Sequence, residues 1–158
     1  MQQKKFAILM LCMGNICRSP TAEGVMRAKL AAAGLDVEVD SAGTHGYHVG
    51  EPPDERSQEH ALRRGYDLST LRARVLTGDD FERFDLVLAM DDDNLRRARA
   101  LCPPSRRHRL KLLMDFAPGA SSRAVPDPYY GEADGFERVL DLVEAACDGL
   151  AAELKAAQ

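Results

Sequence analysis

Much of what this 158-residue chain could be is excluded by what it lacks. No apolar run near its start approaches the ~20 residues that a membrane-spanning helix needs; Phe6 to Leu11 is far too short. Two lysines before that run imitate a secretory leader, but no small-x-small cleavage site follows, so a cytoplasmic protein without membrane contact is expected. Four cysteines do not require a disulfide framework, and in a cytosolic setting they are expected as thiols. Neither G-x4-G-K-[ST] nor G-x-G-x-x-G occurs, which excludes both common nucleotide cradles. Asp91-Asp92-Asp93 fails as a calcium loop because Arg96 stands where glycine is needed. Cys12 and Cys17 have neither metal-pair spacing nor further ligands, so a metal site is not expected. The net charge of −4 argues against nucleic acid. The arginines at Arg96-Arg97-Arg99 and Arg106-Arg107-His108-Arg109 read as solvated faces. No repeat, low-complexity stretch or linker divides the chain, and 45% apolar with 29% charged residues suits one globular domain over 1–158.

What is present is an alternation of strands and helices. The apolar run Phe6 to Leu11 predicts a strand. Ala22, Val25, Met26, Leu30 and Ala33 share one helical face that Gly34 can end. Val37 to Asp40 alternates as a short strand, and Pro52-Pro53-Asp54 opens a charged helix running to Gly65. Phe84 to Met90 predicts a buried strand, Asp91-Asp92-Asp93 starts another helix, and Leu110 to Met114 is a fourth strand. Pro118 to Gly131 reads as a loop. Phe136, Val139, Leu140, Val143, Cys147, Leu150 and Leu154 mark the last helix, with Asp134 and Glu137 imitating a capping box. This order predicts an α/β domain, a parallel sheet covered by helices on both faces, with ligands beyond the carboxyl ends of the strands.

The segment between the first strand and first helix carries the chemistry: Cys12-Met13-Gly14-Asn15-Ile16-Cys17-Arg18-Ser19-Pro20. A tight loop before a helix can turn its amides inward and bind a phosphate dianion. Helix N-termini and nearby cations also lower a thiol's pKa from ~8.5 to about 3.5–7.5, giving the reactive thiolate. Arg18 adds a fork able to hold two oxygens of a tetrahedral anion. Gly14 and Asn15 tolerate the positive φ such a loop often needs. A buried strand-end cysteine before an ordinary helix, with Ser19 as N-cap and Pro20 as first helical residue, fits the same letters.

Cys12 through Pro20 resembles the signature of the low-molecular-weight protein tyrosine phosphatases, C-x-G-N-x-C-R-S-P. Further matches extend the likeness over nearly the whole chain, including Asp127-Pro128-Tyr129 for the family's D-P-Y motif. The resemblance implies a four-stranded parallel sheet of flavodoxin-like winding. It implies Cys12 as nucleophile, the loop from Met13 to Ser19 with Arg18 as phosphate cradle, and Asp127 as general acid and then base. Met13, Ile16, Tyr47, Tyr129 and Tyr130 would wall a pocket for a flat ring. Asn15, Ser19 and Ser41 match positions that brace the loop, and Cys17 matches a cysteine that can trap an oxidised nucleophile as a disulfide. Leu71 departs from the family, standing where a histidine usually joins the bracing network.

On that resemblance the expected function is hydrolysis of phosphotyrosine in proteins, through a cysteinyl-phosphate, without a cofactor, by a monomer or weak homodimer. Three alternatives share the loop. An arsenate reductase would need a second redox cysteine pair after the third strand, where only Cys102 occurs. A protein arginine phosphatase would carry threonine at the position of Ile16. A phosphate-binding protein without turnover would lack the nucleophile, the arginine or the acid, and all three are present.

Overall fold

The computed structural model describes residues 5–120, 123–128 and 134–157. Ala7–Cys12, six uncharged residues, form β1, and every one is buried. The two-residue period of a strand sends Ile8, Met10 and Cys12 to one face and Ala7, Leu9 and Leu11 to the other, where each set joins a separate apolar cluster. Ile8, Leu9, Met10 and Leu11 are fully buried, each stabilising the fold by about 1.5–3 kcal/mol through leaving water.

β2 (Glu38–Gly43), β3 (Leu86–Ala89) and β4 (Leu110–Leu112) complete an all-parallel sheet in the order β2-β1-β3-β4. This is the flavodoxin-like winding expected, with β1 second in the order and paired on both sides. α1 (Arg18–Ala32) and α5 (Asp134–Ala156) cover one face through Val25, Met26, Val143 and Leu150. α3 (Asp80–Arg83) and α4 (Asp92–Leu101) cover the other through Phe81 and Ala98. α2 (Glu55–Arg63) is tied to α5, with Arg64 bonded to Glu137, Asp141 and Glu144. Among the described residues no helix is long and apolar enough to cross a membrane.

Local chemistry sets the element ends. Gly34 takes the left-handed conformation (φ 72°) after α1, letting the Leu35 amide return to the Leu30 carbonyl at 2.9 Å. Asp54 caps α2 by accepting from the amides of Arg56 and Ser57. Four arginines of α4 and of the turn after it have partners: Arg96 and Arg97 pair with Asp93, Arg106 pairs with Glu82, and Arg109 donates to the carbonyls of Phe81 and Phe84.

Several expected bounds need correction, among them β3, which keeps only Leu86–Ala89 of the expected Phe84 to Met90. β2 runs on through Ser41, Ala42 and Gly43, because pairing with β1 continues as far as Cys12 and Gly43. β4 stops at Leu112 instead of Met114; the Asp115 carboxylate accepts from the Leu112 amide at 3.2 Å and the chain turns into a 3₁₀ helix over Leu113–Phe116. Asp134 is itself helical in α5 rather than its cap, and Glu137 gives its carboxylate to Arg64 and His60. α5 passes so near that turn that a Cβ on Gly149 would lie 1.9 Å from the Phe116 carbonyl oxygen.

Candidate active site

β1 ends at Cys12 and α1 begins at Arg18, so the joining loop lies at the carboxyl edge of the sheet. Its shape depends on Asn15, the only described residue other than glycine with positive φ (59°). The buried Asn15 amide donates one hydrogen to Ser19 Oγ (2.8 Å) and one to Ser41 Oγ (3.0 Å), and its oxygen accepts from the Arg74 amide (3.0 Å). Ser41 passes its own hydrogen to Glu23 at 2.7 Å, and Glu23 pairs with Arg27 at 2.5 Å. Burial raises the Glu23 carboxyl above its usual range, against the pull of Ser41 and Arg27. Leu71 is half-buried against the apolar cluster of the α1/α5 face. Bracing here is thus continued by a buried acid and its arginine.

Cys12 is 3% exposed, and its Sγ lies 3.0 Å from Ser19 Oγ. Arg18, 2% exposed, donates Nη1 to Asp91 Oδ2 (2.5 Å) and to the Val125 carbonyl (3.1 Å). Its Nη2 stands 3.8 Å from Asp127 Oδ2. One edge of the guanidinium is therefore anchored while the other faces Asp127. Burial opposes the Arg18 charge, but charge on Cys12 and the carboxylates of Asp91 and Asp127 outweigh it and hold the proton more firmly than in an ordinary arginine.

These groups surround a cavity of about 120 Å³ lined by Cys12, Met13, Gly14, Ile16, Cys17, Arg18, Tyr47, His48 and Asp127. Residues far apart in the chain therefore share one space. Tyr47 is 73% exposed and stacked on His45 at 5.1 Å, open to a ligand at the cavity mouth. Tyr129 and Tyr130 lie outside the described residues. Gly14 is not left-handed; its missing side chain makes room for His48, whose Cδ2 would stand 2.9 Å from a Cβ there. Ser19 is not the helix cap either, since α1 starts one residue earlier. Burial pushes the Cys17 thiol up to about 12, with Asp54 adding to the rise and Ser57 opposing it.

Sequence reasoning missed Asp91, Glu23, Arg74 and His48. Asp91 was legible in principle: it follows β3, the strand beside β1, on the edge where ligands of such sheets bind. Arg74 closes the segment in which Leu71 stands, whose likeness to the family drew attention only to Leu71; no local pattern marks Glu23 or His48.

A parallel α/β sheet with a cysteine and an arginine at the two ends of one anion-cradling loop defines a class of cysteine-centred oxyanion sites. Residues 7–158 match the family described as low molecular weight phosphotyrosine protein phosphatase. A low molecular weight protein-tyrosine-phosphatase of Streptomyces coelicolor is 44% identical over 155 residues, covering 95% of this chain and 94% of that one. The human low molecular weight phosphotyrosine protein phosphatase is 37% identical over 150 residues, covering 92% and 94%. A crystal structure of a protein tyrosine phosphatase from Entamoeba histolytica superposes with a TM-score of 0.94 at 37% identity, covering 97% of this chain and 99% of that one. The chain belongs to the low molecular weight phosphotyrosine protein phosphatase family.

Proposed function

We propose that this chain, working as a single domain over 1–158 in the cytoplasm, hydrolyses phosphotyrosine in proteins through a cysteinyl-phosphate. The observation that carries this reading is the meeting of Cys12, Arg18 and Asp127 around one cavity. The Cys12 thiolate attacks phosphorus, and the bond from phosphorus to the tyrosine oxygen breaks. Asp127 gives its proton to the departing phenolate. The loop amides and the Arg18 edge facing the cavity hold the non-bridging oxygens, the kind of preorganised electrostatics that is usually the largest catalytic term. In the second step Asp127, now a carboxylate, takes a proton from water as the water oxygen attacks phosphorus. The sulfur–phosphorus bond breaks, and Ser19 donates to the returning thiolate.

Ile16 and Met13 give the cavity wall an apolar character suited to a phenyl ring, which favours phosphotyrosine over phosphoarginine. Steady-state turnover of phosphotyrosine, phosphoserine and phosphoarginine peptides, with chelator present, tests the reading. Wild type is expected to turn over phosphotyrosine alone, and Cys12→Ser to lose turnover while keeping phosphate binding. Substantial activity in Cys12→Ser would sink the nucleophile, and a preference for phosphoarginine would sink the substrate class.

A further inference from the structure

His48 has no part in the steps above, yet it lines the same cavity as Cys12, Arg18 and Asp127. Its Nδ1 lies 2.6 Å from Glu51 Oε2. The opposite edge of the ring leans on the loop, with Cδ2 2.9 Å and Nε2 3.7 Å from where a Cβ on Gly14 would be. An ionised carboxylate only accepts hydrogen bonds, so Glu51 fixes the proton of the ring on Nδ1. In the neutral ring Nε2 then turns a lone pair towards the loop. A second proton makes that same atom a donor and sets a positive charge beside the cradle.

We propose that His48 is a second anion-binding residue of this site, one that, when protonated, joins Arg18 in holding the dianionic phosphoryl group of the substrate. The proposal rests on the oxyanion role given to the loop under the proposed function. The other charged or ionisable groups on this cavity are Cys12, Cys17, Arg18, Tyr47 and Asp127, with Glu51 on the far side of the ring. The His48 side chain is 31% exposed, so its charge is partly screened. A unit charge within a Debye length of a dianion, about 10 Å at moderate salt, is expected to change affinity about three- to tenfold.

Sulfate is the probe, because it stays doubly charged while imidazoles titrate around ~6.5. Its binding to the intact protein is measured by calorimetric titration at about pH 5.5 and about pH 8 for wild type, His48→Asn and His48→Lys. Wild type is expected to bind sulfate more weakly at the higher pH, by about three- to tenfold more than His48→Asn does. His48→Lys, charged at both values, is expected to bind tightly at both. Any charge change elsewhere on the cavity is common to the three proteins and cancels in the comparison. With a phosphotyrosine peptide at the lower pH, the effect of His48→Asn is expected to fall mainly on KM rather than kcat, which ties the charge to the substrate and not only to free anions. An unaltered pH dependence in His48→Asn, or a loss confined to kcat, would overturn the proposal alone. Absence of sulfate binding by wild type at either pH would overturn it together with the proposed function.

Discussion

Ser19 Oγ lies 3.0 Å from Cys12 Sγ while accepting a hydrogen from Asn15 Nδ2 at 2.8 Å. The Ala42 carbonyl also lies within reach of this hydroxyl, at 3.5 Å, so a charged sulfur at 3.0 Å is the nearer acceptor for its proton. That proton matters most when the sulfur leaves phosphorus carrying a negative charge. A hydrogen bond to a charged group contributes about 1.5–3 kcal/mol, or roughly 10- to 100-fold in rate. Ser19→Ala is therefore expected to lower kcat by about that factor by slowing hydrolysis of the cysteinyl-phosphate. Stopped-flow kinetics checks this: a fast burst of released phenol followed by slow turnover is expected, and a slowed burst would place Ser19 in the first step instead.

Asp127 faces the unanchored edge of Arg18 across the cavity. Its loss should weigh on protonation of the leaving oxygen. General acid catalysis contributes about 10²- to 10⁴-fold, so Asp127→Ala is expected to lose activity within that range on phosphotyrosine. Much less should be lost on aryl phosphates whose phenols are acidic. Rates across a leaving-group series give the answer, and an equal loss for every substrate would argue against the acid.

Gly43 and Gly149 separate stability from binding. A Cβ on Gly43 would meet the Met13 carbonyl oxygen at 2.7 Å, the His45 carbonyl oxygen at 3.0 Å and the Gly14 carbonyl carbon at 3.1 Å. All three are backbone, and two belong to the cradle loop. Overpacking of this kind costs about 1–3 kcal/mol. Gly43→Ala is expected to lower both stability and phosphate affinity. Gly149→Ala, which strikes the Phe116 carbonyl far along the chain, should lower stability and leave affinity unchanged. Denaturant midpoints and phosphate titrations on both variants make the comparison.

The parts of this molecule that were legible in advance are those written locally. β1 is a continuous apolar run, α5 repeats its apolar residues with helical spacing, and Cys12 through Ser19 holds the cradle in consecutive letters. What stayed hidden depends on distance. Arg18 and Asp91 are joined at 2.5 Å but stand 73 positions apart, and no pattern within either segment names the other. Local rules also misled where tertiary demands prevailed. The capping-box letters at α5 yielded to the pull of Arg64 on Glu137, and the apolar residues after Leu112 went to a 3₁₀ turn held by Asp115.

Acid is expected to weaken the contact between α2 and α5. Arg64, and after it His60, hold the Glu137 carboxyl below its ordinary value of 4.5. A depressed folded value means that the stabilisation is complete above the unfolded value and is lost as pH falls through the folded one. The loss therefore belongs to the range below about pH 4.5. Melting temperatures measured between about pH 3 and 6 are expected to fall less steeply for Arg64→Ala than for wild type. Equal slopes would show that the ion pair contributes nothing measurable, as many exposed pairs do not.

Parallel partners hold β1 on both sides, Ala7 to Cys12 against β2 and Ile8 to Leu11 against β3. No part of that strand can swap its backbone protons with solvent by fraying, as an edge strand can. The amides leading to Cys12 then exchange only when the sheet as a whole comes apart. Asp127 comes from a stretch outside every helix and strand. The Cys12 sulfur is thus carried by backbone paired on both sides, and across one phosphate-sized space it meets a carboxylate carried by a loop that is tied in at Val125 by Met90 and Arg18.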